Sequence, residues 1–331
     1  MGLPGRKEDG LCMNEKSLEV LELYDFTVLQ AQKGRGAMVI LSDHGMKLLM
    51  EYRGSGRHIE WCAPILDGVN DKGSMFTDSY EKNREGSYVS VAADRQKYVV
   101  KRWCGFRECD SKNLSDVVRA IRTLALFHKE TESLIPDEKL YKGASIKQDM
   151  ERHTDEIARV AKYLAKRSNR KAFETLALKG CENFLEEAKD ALSVLSESSW
   201  GEGAQKGICH GCFTYHNVGF GELPVMTDFE KLNYGHYMCD LYHILRKILE
   251  KNDWDMKLGY KLISEYDSVN SITDADLKLL TALFSYPEKF WKLINAYFNS
   301  RKIWIPEKNY EKLKKVIEQN QKRREFLDTL R

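Results

Sequence analysis

The residues of this chain whose types and spacing suit chemistry fall in one stretch, Cys209-His210-Gly211-Cys212-Phe213-Thr214-Tyr215-His216-Asn217, followed eleven residues later by Asp228-Phe229-Glu230. Asn217 and Asp228 offer oxygen atoms, the donors that a hard cation such as Mg²⁺ selects. Cys212 offers a thiol, which at its reference pKa of about 8.5 is mostly protonated near neutrality. It has no carboxylate oxygen to take a proton from an acceptor hydroxyl. His216 and Tyr215 are the other side chains able to move a proton, since an imidazole titrates close to pH 7. They lie further along the loop, and geometry precedes pKa in choosing a base. Two plainer readings compete: the turn polar groups of an ordinary hairpin, and a metal or redox site at Cys209 and Cys212. A single Cys-x-x-Cys without a partner pair is weak evidence for zinc, and the His inside the pair is not in haem-attachment order.

The spacing resembles the phosphotransferase pattern His-x-Asp-x-x-x-x-Asn followed by Asp-Phe-x. There the first Asp orients and deprotonates the acceptor hydroxyl, while the Asn and the later Asp hold Mg²⁺ against nucleotide phosphates. In that register His210 braces the loop, Asn217 and Asp228 take the two metal positions, and Cys212 stands where the catalytic Asp belongs. In-line transfer loses its base. Such a site also needs a lysine for the phosphates and a glycine-rich cover. Gly34-Arg35-Gly36 sits at a strand turn, where a plain hairpin is the simpler reading, and Lys47 and Met50 compete for the lysine position in the next strand.

The elements that must position these groups change character along the chain. The first hundred residues alternate β-branched and aromatic stretches with glycine: Thr27–Leu29, Ala37–Ile40, Lys47–Met50, Ser87–Val91 and Tyr98–Trp103. This predicts an antiparallel sheet, with a turn at Ala93-Asp94-Arg95-Gln96. Ile59–Leu66 predicts a helix packed on the sheet, interrupted by Pro64 unless that residue falls in the first turn. From Leu114 the apolar period becomes about 3.6, after the candidate cap Ser111. Amphipathic segments then run through Ile157–Leu164, Phe184–Leu195, Tyr242–Leu249 and Leu258–Leu262, and a last one carries Leu313, Val316, Ile317, Phe326 and Leu327. Val218-Gly219-Phe220 and Val225-Met226, flanking Gly221–Pro224, predict a β-hairpin among these helices. The fold class expected is α+β, two-lobed and protein-kinase-like, with residues 1–103 as the β-rich lobe and 104–331 as the helical lobe carrying the hairpin at about 207–230.

Composition sets the remaining limits. The 331 residues, 42% apolar, suffice for two lobes, and 52 Lys+Arg against 50 Asp+Glu leave a net charge of only +2. No overall field argues for nucleic acid or an anionic membrane. The eight cysteines, at 12, 62, 104, 109, 181, 209, 212 and 239, are scattered behind no hydrophobic leader. They read as reduced thiols of a soluble, cytoplasmic protein. No apolar run approaches the ~20 residues that span a bilayer, and Met1-Gly2-Leu3-Pro4-Gly5-Arg6 lacks the hydroxyl residue of a myristoylation signal.

With these residues in view, the chain resembles the bacterial spore-coat proteins of the CotS type, within the aminoglycoside-phosphotransferase and protein-kinase-like superfamily. The resemblance rests on Lys33-Gly34-Arg35-Gly36-Ala37, Leu49-Met50-Glu51-Tyr52, Trp103–Asp110, Asp228-Phe229-Glu230-Lys231, Cys239–Lys247 and Tyr286-Pro287-Glu288-Lys289-Phe290-Trp291. It implies a sporulating Gram-positive bacterium, synthesis in the mother cell, deposition in the spore coat and other coat proteins as partners. It also implies that Met50 replaces the phosphate-contacting lysine, that Glu60 falls where that lysine's ion-pair partner belongs, and that Asp240 braces the catalytic loop from a buried position. Lys47, three residues before Met50, points to the opposite face of a regular strand. Arg107 with Glu108 or Asp110 reads as a surface charge pair or part of an acceptor cleft. Tyr286, Phe290, Trp291, Tyr297, Phe298 and Trp304 read as helical core packing.

The function expected is a coat-associated, pseudokinase-like protein with ATP and Mg²⁺ as its cofactors where the site still binds. One alternative is an active ATP-dependent phosphotransferase using Lys47 for phosphate and His216 for the proton. Another is a binding module for a different metabolite.

Overall fold

Six stretches of the amino-terminal region satisfy their backbone groups as a single sheet. A 3₁₀ segment, Glu15–Leu23, precedes β1 (Val28–Lys33), β2 (Ala37–Ser42) and β3 (Gly45–Glu51). Helix α1 (Gly56–Lys72) follows, then β4 (Phe76–Thr77), β5 (Tyr80–Glu81), β6 (Ser90–Val91) and β7 (Lys97–Arg102). The sheet order is β1-β2-β3-β7-β5, with β6 also on β7, and each pairing is antiparallel. The computed structural model describes residues 15–34, 36–135, 141–143, 145–196, 201–299 and 307–330. Arg35, Trp304, Cys12 and the opening Met1–Arg6 therefore lie outside the described residues.

Period-two alternation gives the sheet two faces. Ile40 of β2, Leu49 of β3, and Tyr98 and Val100 of β7 pack with Val20, Leu21 and Tyr24 of the 3₁₀ segment. Leu48, Met50, Val99 and Lys101 belong to the other face, and all four are buried. The strand expected over Ser87–Val91 shrinks to Ser90–Val91. Asn83 accepts from the backbone N–H of Glu85 and Ser87, and the Ser87 hydroxyl donates to the Val89 carbonyl, so local side-chain bonds replace the ladder.

Helix α1 runs straight through Pro64 instead of stopping at it. The ring removes one backbone bond, yet burial of Ile59, Cys62, Ala63, Ile65, Leu66 and Val69 holds both halves in one helix. Strand β8 (Arg107–Glu108) leads into α2 (Leu114–Thr131). The cap of α2 is Asn113, not Ser111: its side chain accepts from the N–H of Ser115 and Asp116.

Next in the chain come α3 (Ile146–Lys166), α4 (Ala172–Ser196), β9 (Lys206–Cys209), β10 (Val218–Phe220), β11 (Pro224–Met226) and β12 (Asn233–His236). β10 and β11 form the expected hairpin. It extends to a four-stranded sheet, β4-β11-β10-β8, in which β4 runs parallel to β11; β9 pairs with β12. Helices α5 (Tyr237–Lys251), α6 (Met256–Asp267), α7 (Asp274–Ser285), α8 (Glu288–Phe298), α9 (Glu307–Glu318) and α10 (Asn320–Leu330) complete the chain. The single last helix expected is two, broken at Gln319. That side chain donates to the Glu250 carbonyl and to Asp253.

By packing, the chain divides into Met1–Lys142 with Gly207–Gly235, and Gly143–Lys206 with His236–Arg331. The first unit thus holds the sheet, α1, α2 and the hairpin. In the second, α3 packs on α4 and α8, and α7 on α4, α5 and α10. Phe290 is fully buried there against Phe184, and Tyr297 stacks on Phe173. A charged tie joins α5 to α8: Arg246 bonds Glu250 at 2.6 Å and lies 3.3 Å from Glu288, which accepts from Tyr242. Burial alone would raise the Glu288 carboxyl, but Arg246, Lys292 and His243 more than offset it and hold the group well below the usual carboxylate range. Among the described residues no helix is long and apolar enough to cross a membrane.

Candidate functional site

The hairpin register brings the loop residues together. Val218 pairs with Met226, and the Thr227 N–H donates to the Asn217 carbonyl, so Asn217 and Asp228 end opposite strands side by side. Asn217 Nδ2 donates to Asp228 Oδ2 at 3.1 Å. Thr214 Oγ1 donates to Asn217 Oδ1 at 2.9 Å, which fixes the amide's orientation. An amide oxygen keeps a second lone pair and a carboxylate has several, so this donor set of hard oxygens fits a Mg²⁺ ion. Asp228 itself lies in the left-handed region, φ 69° and ψ 45°.

His210 is fully buried. Its Nε2 donates to the Thr227 carbonyl at 2.9 Å, which turns Nδ1 toward the Cys212 thiol 3.6 Å away. The ring also packs on Phe213 and on Phe229, which in turn meets Phe127 of α2. Between the two, Gly211 has φ +83°, and a Cβ there would sit 2.0 Å from the Lys231 carbonyl oxygen. Only glycine lets the chain pass so close. Cys212 is half-buried, and its sulfur also lies 3.9 Å from the Asp228 carbonyl oxygen. A thiol thus lies between the His210 ring and the Asp228 backbone. Tyr215 and His216 lie beyond it, their rings 4.2 Å apart, with His216 exposed.

Lys47, Met50 and Glu60 do not join this group. Lys47 bonds Glu81 at 2.6 Å and lies over the Phe26 ring, on the sheet face that carries Leu49. Met50 is buried on the opposite face, across from Val99. Glu60 is exposed on α1, and Asp240 is fully buried on α5. Arg107 donates to the Glu108 backbone carbonyl, and its ion pair is with neither the Glu108 nor the Asp110 carboxylate. It grips Asp116 through two bonds of 2.5 and 2.8 Å and holds that carboxyl down at about 2.

What the sequence did not single out is Lys101. It is fully enclosed on the Met50 face, directly across from Leu48 on β3 and Tyr80 on β5. Its Nζ bonds Asp78 Oδ2 at 2.9 Å and sits 4.8 Å from the Tyr80 ring centroid. Burial by itself would lower the pKa of this ammonium, but Asp78, with Tyr80, Glu230 and Asp228, outweighs it, so the lysine stays charged. The same Asp78 oxygen accepts the backbone N–H of Asp228 at 3.2 Å. Two registers make this meeting: β5 on β7 sets Tyr80 beside Lys101, and β4 parallel to β11 sets the residues after Thr77 beside those after Met226. The one visible signal was a lysine at an apolar-face position of β7, next to Val99 and Val100.

Among the described residues the cysteines are free thiols. Burial pushes Cys62, Cys109 and Cys181 up to about 12, Cys104 to about 11, and Cys239 higher still.

The family described as "Spore coat putative kinase YutH" matches residues 19–330. Spore coat protein S of Bacillus subtilis (strain 168) is 20% identical over 327 residues, which cover 94% of this chain and 93% of that one. Among solved structures, an aminoglycoside phosphotransferase from Alicyclobacillus acidocaldarius superposes with a TM-score of 0.82 at 19% identity, over 98% of this chain and 97% of the other. The amicoumacin kinase hAmiN, solved in complex with AMP-PNP, Ca²⁺ and Ami, gives 0.60 at 12% identity over 96% and 94%. These likenesses show the fold: two-lobed and protein-kinase-like, with an antiparallel sheet in the amino-terminal lobe and a mainly helical carboxy-terminal lobe. The family match takes in every strand and α-helix described above, and the chain belongs to the "Spore coat putative kinase YutH" family.

Proposed function

We propose that this chain is a spore-coat-associated, kinase-like protein that keeps the metal and nucleotide half of a phosphotransferase site, lacks the catalytic base, and acts in coat assembly as a binding protein. The observation that carries this reading is the hydrogen-bonded Asn217–Asp228 pair with the Cys212 thiol in the base position. When bound, Mg²⁺ supplies positive charge to nucleotide phosphates. Asn217 and Asp228 hold it, Thr214 orients Asn217, and His210 braces the loop. Cys212 has no oxygen with which to orient an acceptor hydroxyl. The spore-coat family and relative support a place in the coat; synthesis in the mother cell and other coat proteins as partners belong to the same reading. The lobe boundary near Trp103 belongs to the same reading.

An active ATP-dependent phosphotransferase, acting on a small-molecule or protein hydroxyl, is the second reading. Lys101, a buried cation on the Met50 face, favours it; the exposed position of His216 does not give it a base.

The test is calorimetric titration with ATP, with and without Mg²⁺, of the wild type and of Asp228→Asn. Metal-dependent binding that the variant loses is the expected result. No binding by the wild type at millimolar nucleotide overturns the proposal.

A further inference from the structure

Asp228 adopts a left-handed backbone, a minority conformation that Asp tolerates better than most residues with a Cβ. Its N–H ends on Asp78 Oδ2, and that oxygen is anchored by Lys101 Nζ. Both partners are sealed from solvent, at 0% and 1% exposure. Desolvating two charges offsets most of their attraction, so a buried ion pair of this kind is by itself weak evidence of stabilisation. Active kinases carry a lysine–carboxylate pair between the third strand and the helix that follows it. Here the corresponding positions hold buried Met50 and exposed Glu60. Asp78 Oδ1 and the Tyr80 hydroxyl are buried without a hydrogen-bond partner among the described residues.

We infer that Asp78, anchored by Lys101, is the positioning residue of the metal site: its Oδ2 accepts the Asp228 N–H and holds Asp228 in the backbone conformation from which its carboxylate meets the metal. This rests on Asn217 and Asp228 being the metal-holding pair. Lys101 pins the carboxylate, Asp78 receives the Asp228 N–H, and the parallel β4–β11 register sets the reach between them. Both act on the metal site through Asp228.

The experiment compares the wild type, Asp78→Leu/Lys101→Met and Asp78→Asn/Lys101→Met. Replacing both partners by apolar groups of similar size leaves no buried orphan charge, so the fold is retained. The asparagine variant keeps an acceptor for the Asp228 N–H without the charge. Two quantities are read: hydrogen exchange of the Asp228 amide in nucleotide-free protein, and Mn²⁺–ATP affinity from the Mn²⁺ paramagnetic resonance signal. The leucine variant is expected to exchange at least tenfold faster and to bind Mn²⁺–ATP at least tenfold more weakly, with an unchanged circular dichroism spectrum. The asparagine variant is expected to recover most of both.

Wild-type exchange and affinity in the leucine variant would overturn the inference and leave the pair a fold element. So would equal losses in both folded variants, because the acceptor would then not be what matters. Should the leucine variant fail to fold, Asp78→Ala/Lys101→Met takes its place, with the same expected losses and the same overturning result. A wild type that binds no Mn²⁺–ATP defeats the metal-site reading, while the exchange comparison still reports on the clamp.

Discussion

At the scale of single residues, the clearest charge effect lies at the base of α2. Asp116 is 4% exposed and is held at about 2 by the Arg107 guanidinium and the Asp110 N–H, against about 3.9 for a free Asp. Because the folded pKa is the lower one, the interaction stabilises the fold above pH 4 and is lost as pH falls toward 2. Arg107→Met is expected to lower stability near neutrality, with the difference closing between pH 4 and pH 2. Urea unfolding at a series of pH values checks it. A difference that persists at pH 2 would instead mean that Arg107 acts by packing on Phe220, whose ring centroid is 5.6 Å from the guanidinium carbon.

At the scale of elements, α1 carries an avoidable defect. Pro64 is exposed in the helix interior and denies the Glu60 carbonyl its donor. Pro64→Ala restores that bond without removing a core contact. The gain is expected to be about 1–3 kcal/mol, the helix penalty of proline less the entropy it takes from the unfolded chain, and a raised urea midpoint at unchanged slope would show it. The periodicities behind β1, β2, β3, β7 and the helices are long enough to read from sequence. β4 and β5, two residues each, carry no period at all. Yet these two set the registers that bring Asp78 to Lys101 and to Asp228, 150 residues away. The loop from His210 to Asp228 was legible because its residues are near in sequence and joined by one hairpin. The clamp was not, because short strands and distant partners leave no spacing to count. Pro64 and Asn113 mark two further places where packing and side-chain capping overrode the local reading.

At the scale of the whole molecule, the change from period two to period 3.6 and the hairpin set among helices made the kinase-like fold legible. The thiols have a consequence at the same scale. Burial leaves Cys62, Cys104, Cys109, Cys181 and Cys239 with little thiolate at neutral pH, and Cys209 is enclosed. Cys212 is half-buried in the loop beside Asn217 and Asp228. Iodoacetamide is therefore expected to alkylate Cys212 before the other described cysteines, and Mg²⁺–ATP to slow that alkylation, as peptide mapping by mass spectrometry would show. A thiol in that loop is a covalent handle, through which occupancy of the site can be followed without any catalytic turnover.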